Sequence, residues 1–221
     1  MREFSFLDVW QLIQAAEWTV ILSLLAFIGG GLVGVAITLM RISRISIVRR
    51  IAQLYILVLQ GTPLLIQIFL AYFGLALLGI DLPPIVAAAI ALTAYASAFF
   101  GEIWRGAVES IPKPQWEGSA SLGLTRFEQI RYVIAPQAMR VALPPTVGFA
   151  VQIVKNTSLA AIIGLTEVTR IAQFINNVLI DPITIFGTAA AIYFALCFPL
   201  SVLSRYFERR LHVDRPSFKS F

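Results

Sequence analysis

Long apolar runs dominate the pattern of hydrophobic and polar positions along the chain. Five runs are separated by polar segments, at about 18–40, 54–80, 84–103, 143–165 and 183–204. Each has roughly 20 residues or more, and a helix of that length crosses a hydrocarbon core of about 30 Å. Only a helix satisfies every backbone polar group within such a segment. The pattern therefore predicts an all-α membrane protein with five transmembrane helices, built as one domain over residues 1–221.

The composition supports a lipid environment. Of the 221 residues, 58% are hydrophobic and 13% are charged, whereas soluble domains carry about 25% charged residues. The net charge of +5 lies in short clusters between apolar runs rather than in a basic stripe, so no nucleic-acid partner is expected. With one cysteine, Cys197, and one histidine, His212, no metal centre of the His/Cys type and no bound cofactor are predicted.

The basic residues predict the orientation in the bilayer. Fourteen of the 17 Lys and Arg residues fall in three segments, 41–50, 105–140 and 205–219. These segments follow the first, third and fifth predicted helices. Since two crossings separate each segment from the next, all three lie on one face of the membrane. The positive-inside rule makes that face cytoplasmic, with the N-terminus periplasmic and the C-terminus cytoplasmic. Before the first run, residues 1–17 mix apolar and polar side chains, which fits either a helix on the outer membrane surface or a frayed terminus.

Glycines in the first run suggest close helix packing. Gly29, Gly30, Gly31 and Gly34 have no Cβ, so a second helix backbone can approach them closely. The alternative is a loosely packed helix that faces lipid. The two interpretations differ in whether these glycines are buried against another span.

The longest connection, residues 105–142, is patterned but too short to form a catalytic domain with its own core. It is predicted to contain a short helix, a glycine turn and a capped second helix that ends at a proline: 115–122, Gly123 and Thr125 to Pro136. Such a compact knob is either a structured connector or a docking point for a soluble partner.

The sequence of this knob resembles a known motif. WEGSASLG at 116–123, followed by IAP at 134–136, is similar to the EAA motif of ABC importer permeases. Other blocks resemble the polar amino-acid uptake branch of that family, which includes permeases of histidine, glutamine and arginine transporters: QGTPLL at 60–65, EIWRG at 102–106, SIPK at 110–113, LPP at 143–145, KNTSL at 155–159 and EVTR at 167–170. The similarity covers about 19–211.

Four positions depart from the pattern of this family. Gly118 and Ser119 replace the two alanines of the motif, which keeps small residues but lowers helix propensity. Gln60 stands where the family commonly has Arg, and Asn156 where it commonly has Asp. The last two departures concern the solute rather than the coupling.

The resemblance implies a function and a location. It implies the type I ABC importer permease fold in the bacterial inner membrane, with the solute, a polar or basic amino acid or a derivative, moved by ATP-driven alternating access. The alternatives are an ABC importer permease for another small solute, or a channel or scaffold outside the ABC class. The chain lacks a G-x-x-x-x-G-K-[ST] loop, so it is not expected to be an enzyme by itself.

The implied partners are a second permease subunit, identical or related, a cytoplasmic ABC ATPase dimer that binds ATP and Mg, a periplasmic or surface solute-binding protein, and the lipid bilayer. By analogy the knob docks on the ATPase. The residues expected to couple the two proteins are Glu117, Gly118, Ser119, Ala120, Gly123 and Arg126.

Polar side chains within the spans are candidates for the substrate pathway, because they are costly in hydrocarbon unless they face a cavity or another helix. The candidates are Gln60, Thr62, Gln67, Tyr95, Glu102, Gln152, Lys155, Asn156 and Ser158. Lys155, Asn156 and Gln60 would bind an amino-acid carboxylate. The alternative is that they form hydrogen bonds between helices. Beyond the fourth run, Glu167 and Arg170 are expected to pair at i and i+3 or to contact the binding protein.

Overall fold

The computed structural model describes residues 3–211, and the chain is helical almost throughout this range. Within it we number eight helices in chain order: α1 Phe6–Arg41, α2 Ser46–Gly61, α3 Leu64–Leu77, α4 Pro84–Glu109, α5 Lys113–Ser121, α6 Arg126–Ile163, α7 Val168–Leu179 and α8 Pro182–Leu211. Two of them contain a π-helical segment, Leu70–Gly74 in α3 and Gln129–Ile134 in α6.

Five membrane crossings follow from how these helices run. Four helices, α1, α4, α6 and α8, are long and apolar enough to span, whereas α2 and α3 qualify only as a pair bent by 102°. Contacts between α1 and α4 advance in the same direction, because Gly30 packs against Ala96 and Arg41 pairs with Glu102. Parallel neighbours require the chain between them to return across the membrane. The bent pair is therefore one broken crossing, and the prediction of five is confirmed.

The other long helices bring the basic clusters to one end of the bundle. α6 runs antiparallel to α4, since the Trp104 indole donates a hydrogen bond to Thr146 (2.9 Å) while Phe99 stacks on Phe149 one turn further along α6. α8 returns beside α6, and Ser204 donates to the Pro144 carbonyl at 3.0 Å. Basic segments 41–50, 105–140 and 205–210 thus share one end, here called the basic end. Arg215, Lys219 and His212 lie outside the described residues.

The glycines of α1 make a tight seam with α4. Gly30 and Gly34 are buried, and a Cβ added at Gly30 would lie 2.6 Å from the Ala96 Cβ. Thr38 donates to the Gly34 carbonyl at 2.8 Å and lies 3.3 Å from the Gly101 carbonyl on α4. The interpretation of close packing is confirmed, because this distance of approach leaves no room for a side chain.

For the described residues 3–17, the prediction of a surface helix or a frayed terminus is wrong in both its forms. α1 is a single helix of 36 residues from Phe6, about 54 Å long, with neither a separate surface helix nor a frayed start. Its first turns bury Leu12 and Ala15 against Val168 and Ala172 of α7. No apolar run in this part of the sequence is long enough to predict α7, so the helix that covers this face of α1 was not expected.

The prediction that Pro136 ends a helix is also wrong. The capping box at Thr125 and Glu128 and the turn at Gly123 (φ +76°) are confirmed, but the helix continues to Ile163. A π-helical segment precedes Pro136, which then lies in the first turn of a new α-helical segment, Ala135–Asn156. The irregular π-helical turn accommodates the proline, whose missing N–H would break a regular α-helix.

Charged ends explain the other differences in helix length. α4 and α8 extend past the predicted 84–103 and 183–204, and α2 begins eight residues before the predicted 54. An apolar run indicates only the part of a helix that contacts hydrocarbon. These helices continue past their apolar runs into the charged interface and are therefore longer than predicted.

Candidate transport pathway and coupling site

Two of the predicted pathway residues form hydrogen bonds within the break between α2 and α3. Pro63 has no N–H, so the Leu59 carbonyl four residues earlier loses its helical partner. Gln67 replaces that donor, because its Nε2 lies 2.8 Å from the Leu59 oxygen and 3.0 Å from Thr62 Oγ1. The Thr62 hydroxyl in turn donates to the Val58 carbonyl at 2.8 Å. Gln67 and Thr62 therefore stabilise the bend.

Gln60 and Tyr95 contact other helices. Gln60 is exposed, and its amide reaches the Ala98 carbonyl of α4 at 3.4 Å. Tyr95 belongs to an aromatic group in which its ring lies 4.6 Å from Phe99 and 6.1 Å from Phe149. These contacts connect α4 with α2 and α6.

Glu102 lies at the basic end and holds two cations. Both carboxylate oxygens lie 3.0 Å from Arg105 Nε and share its one N–H, and an Arg41 nitrogen is 3.6 Å away. The sequence suggested a pathway residue because it could not show Arg41, which is 61 residues distant. The pairs join the ends of α1 and α4.

The polar face of α6 is different, because it remains open. Lys155 and Gln152 are exposed, and Gln152 donates to Asn156 Oδ1 at 3.1 Å. Asn156 Nδ2 is buried and has no hydrogen-bond partner among residues 3–211. Lys155 has no carboxylate within ion-pair distance in that same range. The exposed Lys155 ammonium is thus a donor available to a ligand, whereas Asn156 Nδ2 is an unpaired donor enclosed by the protein.

Lys155 and Ser158 open into a cleft of about 710 Å³ between α6 and α8. α8 contributes aromatic rings, the one cysteine and a cation to its wall: Tyr193, Phe194, Cys197, Phe198 and Arg205. Two cations and no acidic side chain are among the described lining residues. Carboxylates are the groups that this lining would attract.

The predicted pair of Glu167 and Arg170 is wrong, because the two side chains do not meet. The Glu167 carboxylate caps α7 by accepting from the Arg170 backbone N–H at 2.9 Å, and it also accepts from the Tyr193 hydroxyl. The Arg170 guanidinium lies over Phe174, 4.6 Å from the ring centroid. Burial raises the pKa of the Glu167 carboxyl above its ordinary value, despite these hydrogen bonds.

The knob, α5 with its following turn to Arg126, is anchored from one side. Ser119 is buried and donates to the Trp116 carbonyl at 2.9 Å. The Arg126 guanidinium lies 3.9 Å from the Trp116 ring centroid, which joins α5 to α6. The underside packs on buried apolar residues of α4, of α6 and of the connection between α4 and α5: Ala107, Ile134, Ala138 and Ile111.

The opposite side of the knob is open. Glu117, Gly118 and Ala120 are exposed, as are the large apolar side chains Leu122 (79%) and Phe127 (70%). Exposed apolar residues beside small ones at a projecting helix are typical of a protein contact. Sequence reasoning missed Leu122 and Phe127 because their apolar character alone predicts burial.

A family comparison accounts for this combination of spans and knob. Residues 26–213 match the model of the binding-protein-dependent transport system inner membrane component. The chain belongs to this permease family. This confirms the resemblance found in the sequence and the location as a multi-pass protein of the inner membrane.

Individual relatives of this permease are named as permease proteins of amino-acid transport systems. It is 35% identical over 217 residues to the glutamine transport system permease protein GlnP of Escherichia coli (strain K12), covering 96% of this chain and 99% of GlnP. It is 35% identical over 212 residues to the L-cystine transport system permease protein TcyB of Bacillus subtilis (strain 168), covering 91% of each. These names support a permease of amino-acid ABC transporters.

Solved structures confirm the type I ABC importer permease fold. The crystal structure of an amino acid ABC transporter with histidines matches this permease with a TM-score of 0.87 and 34% identity, over 95% of this chain and 100% of the other. The MetNI methionine ABC transporter matches with a TM-score of 0.78 at 19% identity, over 94% and 99% of the two chains. The second likeness concerns the fold alone.

Proposed function

We propose that this permease moves an amino acid across the inner membrane by alternating access, driven by a separate ATPase that docks on the knob. One observation carries the proposal: a single helix, α6, holds the knob at one end and the open cleft towards the other. From Glu128 to Lys155 it extends about 40 Å. A push on the knob would therefore reach the cleft through one continuous helix.

The coupling role is assigned to the exposed and anchoring residues of the knob. Glu117, Gly118 and Ala120 would contact the ATPase, while Ser119, Gly123 and Arg126 hold α5 in its orientation. ATP and Mg would be bound by that partner. With the basic end in the cytoplasm, as the positive-inside rule predicts, the knob faces the compartment that contains ATP.

A second permease subunit, identical or related, would complete the pathway. Gln152 and Lys155 are exposed on a spanning helix, and exposure of such groups to lipid is costly. A facing subunit would cover them and enclose the cleft. The solute would arrive from a binding protein at the other end of the bundle.

The charges of the cleft lining favour the polar solutes of the predicted range over the basic ones. Lys155 would bind the carboxylate, with Ser158 beside it, and the aromatic wall would contact the side chain. Asn156 would support this site from behind, because its Nδ2 is buried. Since the described lining has cations but no acid, we expect neutral polar or acidic amino acids to be moved in preference to basic ones.

The test is uptake into proteoliposomes that contain the permease, its ATPase and its binding protein. Labelled glutamine, glutamate, histidine, arginine and cystine are compared with and without internal ATP. The expected result is ATP-dependent uptake that is fastest for a neutral or acidic member of this panel. Absence of uptake of all five would refute the proposal.

A charge reversal on the knob tests the coupling. Glu117→Arg places a cation on the exposed face of α5, and we expect uptake and ATPase copurification to fall about tenfold. Glu208→Arg, a reversal of another exposed acid at the basic end, is the matched control. Equal behaviour of the two variants would contradict the docking role.

A further inference from the structure

A buried acid lies next to the cleft and has no role in the function proposed above. Glu167 is 0% exposed. Among residues 3–211 no cationic side chain lies within ion-pair distance of it. Burial of a carboxylate is costly unless hydrogen bonds compensate. The burial of Glu167 therefore needs a physical reason in addition to its capping of α7.

The hydrogen bonds of Glu167 extend from α7 to α8. One carboxylate oxygen accepts the Arg170 N–H at 2.9 Å, and the other accepts the Tyr193 hydroxyl. Thr169 Oγ1 lies 3.0 Å from the same Tyr193 oxygen. The Tyr193 hydroxyl has one hydrogen, which it donates to Glu167. The Thr169 hydroxyl therefore donates to the tyrosine oxygen.

These bonds fix a ring that forms part of the cleft. Tyr193 lines the cleft from α8, across from Lys155 and Ser158 of α6. Its hydroxyl is bonded to Glu167 and Thr169 at the start of α7. The ring is therefore held at its hydroxyl end while the residue forms part of the cleft wall.

We propose that Glu167 is a positioning residue for solute transport: it holds the Tyr193 ring in the wall of the cleft, so that the solute side chain meets a fixed aromatic surface while Lys155 binds the carboxylate. This inference rests on the proposed function. Capping alone does not explain the residue, because Ser, Thr or Asp caps a helix at least as well and is too short to reach Tyr193.

The length of the side chain supplies the decisive variants. Glu167→Ser keeps an N-cap acceptor but removes the buried carboxyl group and the hydrogen bond to the Tyr193 hydroxyl. Glu167→Gln keeps an oxygen that can accept the tyrosine hydroxyl. Asp181→Ser is the matched control, because Asp181 caps α8 through a 3.3 Å contact with the Thr184 N–H without touching the tyrosine.

Two readouts are taken on the assembled transporter. The first is uptake of the five labelled amino acids named above. The second is the modification rate of Cys197, the one cysteine of this chain, which lies one turn from Tyr193 in the cleft wall. The reagent is the anionic methanethiosulfonate ethylsulfonate, and the Cys197 peptide is quantified by mass spectrometry.

We expect Glu167→Ser to lower uptake about five- to tenfold, the range expected when one fixed aromatic contact is lost, and to change the Cys197 modification rate severalfold. Glu167→Gln and Asp181→Ser should both stay within about twofold of the wild type. Tyr193→Phe combined with Glu167→Gln, which removes the hydroxyl without leaving a buried charge, should resemble Glu167→Ser.

The inference is overturned if Glu167→Ser matches the wild type in both readouts, since capping would then be the whole role. Loss of uptake with an unchanged Cys197 rate also overturns it, because the ring would not have moved. If the wild type transports none of the five amino acids, the proposed function fails and this inference with it. A failure confined to the variants leaves the proposed function intact.

Discussion

The break at Pro63 and the polar face at Lys155 place similar residues in the spans, but the two regions are chemically opposite. At the break, the Gln67 amide group and the Thr62 hydroxyl donate to backbone oxygens of the same chain. On α6, Lys155 is exposed and Asn156 Nδ2 has no partner among the described residues. Gln67 Oε1 is also buried without a partner among the described residues, but the donors at the break are used. A polar residue in a span therefore indicates a site for a carboxylate only where its donors remain open.

The same contrast separates larger parts of the molecule. The seam of α1 and α4 is closed by glycine contacts and by the ion pairs of Glu102. The knob and the cleft are open and share α6. Closed regions should respond to substitution through stability, and open regions through transport.

The largest effect is expected at Lys155. Lys155→Ala removes a cation that would form a charge-assisted bond to the solute, so uptake should fall about 10- to 100-fold while thermal stability stays unchanged. Lys155→Arg, which keeps the charge, should retain part of the uptake. Proteoliposome uptake and the melting temperature of the complex are measured. Normal uptake rejects the pathway role, and loss of the assembled complex favours a structural one.

The second prediction compares neighbouring glycines. Gly30→Ala would place its Cβ 2.6 Å from the Ala96 Cβ, so α1 and α4 must separate, at a cost of about 1–3 kcal/mol. At Gly31 the nearest atom, on Trp104, is 3.9 Å away, and alanine fits. The melting temperature in detergent should fall for Gly30→Ala alone. Equal melting of the two variants would mean that the seam is loosely packed.

The third prediction tests the break. Gln67→Leu leaves the Leu59 carbonyl without a donor and should cost about 1–2 kcal/mol of stability. Gln60→Leu is the control, because Gln60 makes one long contact of 3.4 Å from an exposed position. Thermal unfolding of both variants is compared with uptake at a permissive temperature. If Gln67→Leu abolished uptake without lowering stability, the break would belong to the open regions.

The sequence predicted what depends on local pattern. Apolar length identified the five crossings, and the absence of Cβ at Gly30 and Gly34 identified the seam. Thr125 and Glu128 predicted a capping box, and the structure contains it. Each of these signals lies within a few residues of the feature that it specifies.

The features that sequence reasoning missed depend on distant partners. Arg41 and Glu102 meet across 61 residues, and the burial of Glu167 requires Tyr193 of another helix. Pro136 was predicted to end a helix because the preceding π-helical segment has no local signature. Glu102 and Gln60 differ from the open polar groups by such long-range contacts. Gln67 and Thr62 bond within eight residues of themselves, but the apolar run at 54–80 did not show the bend that brings these groups together.

The smallest effect is expected at Gly118, in the open region. It lies inside α5, and an added Cβ would meet nothing within 4 Å. Gly118→Ala should therefore stabilise the helix by about 1 kcal/mol, because glycine is the poorer helix former by that amount. Gly123 is the matched contrast, since its φ of +76° disfavours alanine by about 1–2 kcal/mol.

Hydrogen exchange of the α5 amides measures both glycine variants. Exchange should slow in Gly118→Ala and quicken in Gly123→Ala, while uptake in Gly118→Ala stays within about twofold of the wild type, because a methyl group adds little to an exposed docking face. Slower exchange with lost uptake would show that the ATPase needs the bare backbone at Gly118. The open face of the knob would then be as tightly fitted as the seam of α1 and α4, and its departure from the alanine of the family would have a functional cause.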